Sequence, residues 1–337
     1  MEAQKRMRNS SVLVVGMHGV ATEVVKNLVL AGVGELTIAD DAKASASDLE
    51  ANFFLAATDV GQNRAAASAP RARELNPNVK ISTDDTPVAK KSADFFGSFD
   101  VVVCCDCEFQ TLTHVSSCCR AKVPNKKKSP VFFAAVSLGF HSCFFEDVNE
   151  DFQYMLKQKE RKGDPEKEDS GTSTASKGTM HTAKGVPFGE IVEALSFASL
   201  KRALGRRLRR HMTVLAMLAA VWKAGSKGMK TDTKSLQAVR NELASSEAPA
   251  SVLSDADIEE ASARLGVALT AVHSIVGGIL AQEALKVIAR TGKPFNNAIL
   301  FDGKLGGAVE VRMPGRGKAE LDPPPGSKRK VEEIIEL

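Results

Sequence analysis

The chain has 337 residues, of which 43% are hydrophobic and 26% are charged. These values are ordinary for globular proteins, and they exclude wholesale disorder, collagen-like repeats and a coiled-coil rod. Lysine and arginine outnumber aspartate and glutamate by 45 to 41. A net charge of +4 over so long a chain does not by itself indicate a nucleic-acid or membrane partner, and we expect neither.

The six cysteines all lie between residues 104 and 143. A secreted disulfide framework would distribute them across the fold. Residues 1–10 are basic and polar, the apolar run after them is too short for a signal peptide, and no run approaches the roughly 18 apolar residues of a membrane span. These features predict an intracellular, reducing compartment.

The first part of the chain alternates strand and helix patterns. Residues 11–16 are a β-branched run closed by glycine, residues 20–31 have a helical apolar period, and residues 35–40 resemble a second strand. Pro70 falls inside the next predicted helix and predicts a kink or two shorter pieces. The alternation predicts an α/β fold with a doubly wound, Rossmann-like, mostly parallel sheet. Its further elements are helices at 62–75 and 109–122 and strands at 79–82, 99–105 and 131–136.

The second part begins with a segment of different composition. Residues 157–185 contain no Leu, Ile, Val or aromatic residue, which predicts a mobile insert. Helical patterns then run over 188–222, 234–244 and 256–263. Residues 272–288 are apolar nearly all round and predict a buried helix, whose adjacent glycines, 277 and 278, indicate that something approaches the backbone closely. Residues 298–301 and 308–311 predict a closing antiparallel strand pair.

These patterns predict one α/β domain with insertions. The predicted parts are a Rossmann-like half at 1–150, a mobile charged insert at 151–186, a helical insertion at 187–265, a C-terminal helix and strands that complete the same domain at 266–313, and a disordered tail at 314–337.

A glycine-containing turn follows the first strand. Residues 16–21 (GMHGVA) occupy the place of a G-x-G-x-x-G fingerprint, whose glycines permit a tight turn and bring phosphate to a helix N-terminus. The second glycine is displaced and the last is replaced by Ala21. Gly16 and Gly19 therefore fit either a nucleotide loop or a simple strand-to-helix turn. Asp40, at the end of the second strand, fits either a ribose-binding acid or turn chemistry.

Other candidate motifs favour structural roles. Cys104 and Cys107 have C-x-x-C spacing, but a zinc site would need a second matched pair, so we expect packed cysteines and no metal. The basic run at 201–210 has leucines at helical spacing and no aromatic residue, which favours a solvated charged face. His114 and His141 fall in core segments and are expected to be packed. No G-x-S-x-G or P-loop motif is present.

Several motifs in order resemble one family. They are EAQKR at 2–6, VLVVG at 12–16, KNLVLAGV at 26–33, VGQNRA at 60–65, LNP at 75–77, GFH at 139–141, VGGILAQE at 276–283, NN at 296–297 and FDG at 301–303. Together they are similar to the small (Aos-type) subunits of SUMO-activating enzymes. The likeness covers about residues 2–148 and 186–313.

The resemblance implies the ThiF-like adenylation fold and a heterodimer. In this family the large catalytic subunit binds ATP and Mg²⁺, adenylates the C-terminal glycine of SUMO and carries the thioester cysteine. The small subunit supports that reaction, and the SUMO-conjugating enzyme acts after it. The resemblance therefore implies a noncatalytic subunit with a vestigial nucleotide pocket at Gly16, Gly19, Asp40 and Arg64, and with no cofactor of its own.

This chain departs from active adenylation domains at four positions. Ala42 replaces a second acidic residue, and the arginine expected shortly before Phe53 is missing. Arg64 stands where active domains have the catalytic lysine, and Cys107 stands about where they have the Mg²⁺-binding aspartate. Adenylyl transfer needs cations around the triphosphate and a metal held by carboxylates. We therefore predict that this pocket does not catalyse.

A fifth departure concerns the N-terminus. The family's small subunits normally start with a Tyr-x-Arg-Gln-x-Arg-Leu-Trp-Gly segment, whose arginine reaches the partner's ATP. The sequence begins where that segment would end, and Arg6 and Arg8 match basic residues after it. We expect either that a first exon is missing from the gene model or that the protein works without this arginine.

Other functions remain open at the level of sequence. They are a small subunit for another ubiquitin-like modifier, a nicotinamide-dependent oxidoreductase that uses Gly16, Gly19 and Asp40, a homodimeric sulfur-carrier adenylyltransferase, and a pure scaffold. The tail sequence SKRK at 327–330 resembles a nuclear-import patch, so we expect the nucleus, with the cytoplasm as the alternative.

Overall fold

A computed structural model describes residues 2–122, 129–157, 178–206, 208–244, 249–267, 269–315 and 335–336. The strands are β1 (Ser11–Val15), β2 (Glu35–Ala39), β3 (Lys80–Asp84), β4 (Val101–Cys105), β5 (Val131–Leu138), β6 (His141–Asp147), β7 (Phe152–Lys157), β8 (Gly178–Ala183), β9 (Ala298–Asp302), β10 (Gly307–Val311) and β11 (Ile335–Glu336). The helices are α1 (Glu2–Arg8), α2 (Val20–Ala31), α3 (Arg64–Leu75), α4 (Ala93–Phe96), α5 (Phe109–Arg120), α6 (Phe188–Glu193), α7 (Phe197–Leu204), α8 (Met212–Ser226), α9 (Thr233–Ala244), α10 (Asp255–Arg264) and α11 (Thr270–Ala289).

The central sheet has the order β11-β10-β9-β6-β5-β4-β1-β2-β3. The five strands from β3 to β5 are parallel, and the remaining pairs are antiparallel. The predicted mostly parallel sheet and its C-terminal antiparallel pair, β9 and β10, are confirmed. Strand β6 was not predicted from the sequence. It lies between the two halves of the sheet because it pairs with both β5 and β9.

Helices cover both faces of the sheet. One face packs against α5 and the helices α6 to α10, and the other packs against α2, α3 and α11. The strands are buried on both sides, as the continuous burial of β4 and β5 shows. This arrangement leaves the two ends of the parallel strands as the places where side chains can form clefts.

Helix α3 corrects one expectation. It is continuous through Pro70, with no break into shorter pieces. An interior proline costs about 3 kcal/mol because it lacks an N–H and crowds the preceding turn. Here the buried alanines Ala65, Ala69 and Ala72 pack this helix into the core. Asn63 also caps its first turn by accepting a hydrogen bond from the Ala66 amide at 2.9 Å. We infer that packing and capping offset the cost.

The insertions are more regular than the sequence indicated. Strands β7 and β8 form an antiparallel hairpin inside the segment predicted to be a mobile insert, while residues 158–177 lie outside the described residues. The predicted helical stretch 188–222 is divided among α6, α7, a 3-10 turn and α8. The tail prediction falls mostly on residues 316–334, which are also outside the described residues, but Ile335–Glu336 pair with β10.

Helix α11 is the buried helix that the sequence predicted. In the described part of the chain it alone is long and apolar enough to span a membrane, yet most of it is buried inside the protein. A Cβ atom on Gly277 would lie 2.5 Å from the Glu23 Cβ atom, so the expected close approach is confirmed there and the neighbour is α2. At Gly278 the expectation is wrong, because no atom lies within 4 Å of such a Cβ.

A pair of buried carboxyl groups joins α11 to the sheet. Glu146 on β6 and Glu283 on α11 are almost completely buried and interact with each other. Glu283 also accepts a hydrogen bond from the Phe295 amide at 3.0 Å and pairs with Lys286. Burial, together with the neighbouring Glu283, raises the pKa of Glu146 well above its usual range. The carboxyl group of Glu146 therefore keeps its proton to a higher pH than the carboxyl group of an exposed glutamate.

We predict that Glu146→Gln stabilises the protein at neutral and alkaline pH. The folded state holds a proton that the unfolded state releases, so stability falls as pH rises from the usual carboxyl range through the raised pKa. Glutamine removes that loss, and the unfolding midpoint should rise by roughly 2 °C or more at pH 8. Thermal unfolding from about pH 5 to pH 9 measures this, with the exposed Glu259→Gln as control. Equal pH profiles for Glu146→Gln and the unmodified protein would contradict it.

Candidate functional site

The candidate site is a cleft at the carboxyl ends of β1, β2 and β4. Its volume is about 620 Å³. Three of the four predicted site residues, Gly16, Asp40 and Arg64, line it. The fourth, Gly19, begins the neighbouring helix α2. The sequence therefore identified residues that the fold does bring together. The remaining lining residues include His18, Asp41, Ala42, Asp106, Cys107, Glu108 and Gly266.

Both glycines of the predicted nucleotide loop are needed for packing within the chain. Gly16 has a φ of 83°, and a Cβ atom there would lie 2.4 Å from the carbonyl oxygen of Cys105. Gly19 has a φ of 50°, and its Cβ atom would lie 2.6 Å from the ring of His273. Glycine is the residue that tolerates such φ values and such approaches. The glycine pattern is thus explained without a phosphate group.

Arg64 is held between two carboxylates. Its Nε atom donates to Oδ2 of Asp40 at 2.8 Å, and its Nη1 atom donates to Oδ1 of Asp48 at 2.9 Å. The Arg64 side chain is only 17% exposed, and the two carboxylates are at most 5% exposed. Such charge-assisted bonds are stronger than neutral hydrogen bonds. The guanidinium group is therefore held by these two ion pairs and does not extend into open solvent.

Both acids also accept hydrogen bonds from nearby residues of the chain. Asp40 also accepts from the backbone amides of Met17 and Ala42, at 2.6 and 2.9 Å. Asp48 accepts from the amide and hydroxyl of Ser45. Asp40, which the sequence offered as a ribose-binding acid, thus already accepts three hydrogen bonds from within the chain. This arrangement disfavours the nicotinamide-dependent alternative.

The pKa values follow from these contacts. Burial alone would lower the pKa of Arg64, but its bonds to Asp40 and Asp48 outweigh that effect and raise it. Burial would likewise raise the pKa of Asp48, yet the hydrogen bonds from Ser45 and the charge of Arg64 hold it below its usual range. Both groups therefore remain charged across the physiological pH range.

The charge of the cleft does not suit a triphosphate. Its lining has four carboxyl side chains, on Asp40, Asp41, Asp106 and Glu108, against one guanidinium group, on Arg64. No lysine lines it. Burial raises the pKa of Asp106, and this carboxyl group is already bonded to the amide and hydroxyl of Ser137 at 2.6 and 3.1 Å. Because the one guanidinium group is already paired, these residues do not supply the cations that ATP needs around its phosphates.

The cysteines beside the cleft are packed thiols. All six are free, and four of them, Cys104, Cys105, Cys119 and Cys143, are buried. Burial raises the pKa of Cys143 to about 12, and the pKa values of Cys105 and Cys119 are also raised, chiefly by burial. Such thiols are poor nucleophiles and poor metal ligands at neutral pH. Within the described residues no group of three or more His, Cys, Asp or Glu side chains could hold a metal ion.

The other motifs have structural positions. His114 lies 2.8 Å from the carbonyl oxygen of Lys91, and buried His141 lies 3.3 Å from Asp302. In the basic run the leucines are buried, whereas Arg202, Arg206, Arg209 and Arg210 are exposed. Arg207 lies outside the described residues. The run thus places its leucines in the core, with a charged exposed face.

Sequence reasoning missed Asp48, which binds Arg64 and lies 3.0 Å from the ring of His18. It also missed Asn52, whose amide group bridges the Met17 carbonyl and the Ser68 hydroxyl. A local signal for Asp48 was present. Ser45 and Asp48 have the S-x-x-D spacing in which a serine and an acid bond to each other around a helical turn. Asn52 also accepts a local hydrogen bond from the Phe54 amide, but the two groups that its NH₂ binds are distant in sequence.

Comparison with known proteins now defines the class. The ThiF family model matches residues 1–317, and the chain belongs to the ThiF family. It is 33% identical over 321 residues to SUMO-activating enzyme subunit 1 of Xenopus laevis, covering 92% of this chain and 91% of that protein. It is 33% identical over 327 residues to the Homo sapiens protein of the same name, covering 93% and 92%. The family resemblance that the motifs indicated is confirmed.

We predict that Arg64→Met lowers the free energy of unfolding by about 2–4 kcal/mol, because it leaves Asp40 and Asp48 as uncompensated buried charges. Arg64→Lys should recover only part of the lost stability, since a single ammonium group cannot bind both carboxylates as the Nε and Nη1 atoms of the guanidinium group do. Chemical denaturation measures both variants. Exposed Arg73→Met on the same helix is the matched control. If Arg64→Met unfolded at the same denaturant concentration as this control, the two-carboxylate account would be wrong.

Proposed function

We propose that this chain is the noncatalytic small subunit of a heterodimeric SUMO-activating enzyme. The observation that carries the proposal is similarity over more than nine-tenths of the chain to SUMO-activating enzyme subunit 1. It is supported by the cleft, whose one guanidinium group is already paired with two of the chain's own carboxylates. In this proposal the chain supports ATP-dependent adenylation of SUMO and its thioester transfer. Both steps take place on the large catalytic subunit.

The side chains that line the cleft indicate which of the two subunits binds ATP and Mg²⁺. The cleft has four carboxyl groups and one guanidinium group that is already ion-paired, so it attracts a triphosphate only weakly. ATP and Mg²⁺ are therefore assigned to the partner subunit. This chain then contributes surface and stability to the complex. The SUMO-conjugating enzyme, the next acceptor of SUMO, is an indirect partner, and the nucleus is the proposed location.

The partner surface is proposed to lie on the exposed side of α2. Phe53 is 48% exposed and Leu30 is 56% exposed, which is high for large apolar side chains. The ammonium group of Lys26 lies over the Phe53 ring at 5.4 Å, and Lys26 is one helical turn from Leu30. The three side chains therefore form one patch. On the neighbouring helix α11, Gly278 leaves space for close approach.

Reconstitution tests the function. The purified chain, the large subunit, SUMO, ATP and Mg²⁺ are combined, and the SUMO thioester on the large subunit is measured with and without this chain. The proposal predicts that the chain co-purifies with the large subunit and strongly increases thioester formation. A chain that binds no large subunit and restores no thioester would overturn it. Replacing SUMO with another ubiquitin-like modifier in the same assay distinguishes the sister pathways.

We predict that the double variant Leu30→Glu with Phe53→Glu weakens binding to the large subunit by about tenfold or more, because exposed aromatic and apolar anchors dominate interfaces. Surface plasmon resonance with the immobilised large subunit measures the affinity. Leu305→Glu is the control, since Leu305 is 50% exposed in the turn between β9 and β10. Equal affinity for the double variant and the control would place the interface elsewhere.

A further inference from the structure

A second cleft lies at the opposite end of the parallel strands. Its volume is about 520 Å³, and it is bounded by the residues before β1, β4 and β5. Helix α1 forms one wall, the C-terminal end of α11 forms another, and the β7–β8 hairpin forms the third. We call it the basal cleft. The function proposed above does not use it.

The basal cleft holds two neighbouring guanidinium groups. Arg6 on α1 donates from Nη1 to the carbonyl oxygen of Ala289 at 3.2 Å, which brings it to the end of α11 beside Arg290. Burial and the charge of Arg6 lower the pKa of Arg290, and the charge of Asp100 only partly offsets them, so the two cations still repel each other. The Arg290 guanidinium lies 5.3 Å over the Phe152 ring, and within the described residues it has no side-chain ion pair. A carboxylate between the two arginines would relieve the repulsion.

Arg290 occupies a backbone position at which glycine is usual. It follows the last residue of α11 and has a φ of 55°, in the left-handed region. A side chain there is strained, and helices commonly end on glycine at this position. A long cationic side chain at a strained position in a cleft is a candidate functional group.

The hairpin wall of the basal cleft is apolar. Met155 on β7 and Met180 on β8 are directly paired across the hairpin, and both line the cleft. They are 41% and 59% exposed. Methionine side chains are flexible and adapt to varied apolar partners. Cations and adaptable apolar side chains thus face the same space.

The charged side chains that line the basal cleft indicate which kind of ligand it can bind. Lys5, Arg6 and Arg290 are opposed by Glu2 and Asp100, so the lining residues that the structure describes have one excess positive charge. Glu2 pairs with Arg6 only at 3.4 Å and is 74% exposed, so a ligand carboxylate can replace it. A polyanion such as nucleic acid would meet two carboxylates in the cleft, whereas one carboxylate matches the excess charge.

We propose that the basal cleft binds a peptide segment of another protein in which one acidic residue is flanked by apolar residues. The carboxylate lies between Arg6 and Arg290, and the flanking apolar side chains pack on Met155 and Met180. The site is at the opposite end of the strands from the nucleotide cleft, so this proposal stands independently of SUMO activation.

Fluorescence anisotropy tests the proposal with the full chain and a fluorescein-labelled peptide containing Leu-Glu-Leu. We expect Arg290→Gly to weaken binding by about tenfold or more, the loss expected for a charge-assisted hydrogen bond. This variant should unfold at the same temperature or higher, because glycine suits the left-handed position. A Met155→Ser, Met180→Ser variant should also weaken binding, while exposed Arg202→Gln should not.

A Leu-Gln-Leu peptide and an oligothymidylate serve as competitors. The proposal expects both to displace the labelled peptide poorly. It is overturned if Arg290→Gly binds the labelled peptide as the unmodified chain does, if the glutamine peptide competes equally, or if the oligothymidylate binds the cleft in preference to the peptide. It is also overturned if the labelled peptide does not bind the unmodified chain.

Discussion

The two ion pairs of Arg64, with Asp40 and Asp48, organise the end of the sheet where this fold would hold a nucleotide. Asp40 follows β2, Asp48 lies in a 3-10 turn, and Arg64 begins α3, so the network joins three segments that are separate in sequence. Asp40 also receives the Met17 amide of the turn after β1. One guanidinium group thus fixes the loops that surround the cleft.

This network gives the cleft a structural role. Cationic groups stabilise a triphosphate only when they are free to face it, and here the cation is neutralised by the chain's own acids. The glycines after β1 are likewise required by Cys105 and His273. This domain of the ThiF family has in this way kept the shape of its fold, while the cation of its cleft is bound by the chain's own carboxylates. Such a domain is suited to supporting a catalytic partner.

The sequence predicted the fold where local pattern and burial agree. Strands β1 and β2 with α2 between them have strong periodicity, and the glycine after α2 marks its end. Strand β6 was missed because it contains His141, Ser142, Glu146 and Asp147, which are polar residues and yet buried. They are tolerated through tertiary partners, such as Arg120 for Asp147 and Glu283 for Glu146. No local pattern reveals such partners.

The same limit applies to the site. Gly16, Asp40 and Arg64 could be identified because family motifs mark them, but their partners depend on how distant segments meet. The bond from Arg64 to Asp48 and the bond from Asn52 to Ser68 emerge only from the folded chain. The β7–β8 hairpin was missed because β8 has few apolar residues and is separated in sequence from its partner β7 by residues 158–177. The basal cleft therefore had no sequence signal.

The most direct test of this account is the binding of ATP with Mg²⁺ to the purified chain alone, measured by isothermal titration calorimetry. Because Arg64 is neutralised by Asp40 and Asp48, the account predicts no binding heat for the chain, while the same titration gives clear binding once the large subunit is present. Saturable, Mg²⁺-dependent binding of ATP to the isolated chain, abolished by Arg64→Met in a folded variant, would contradict it.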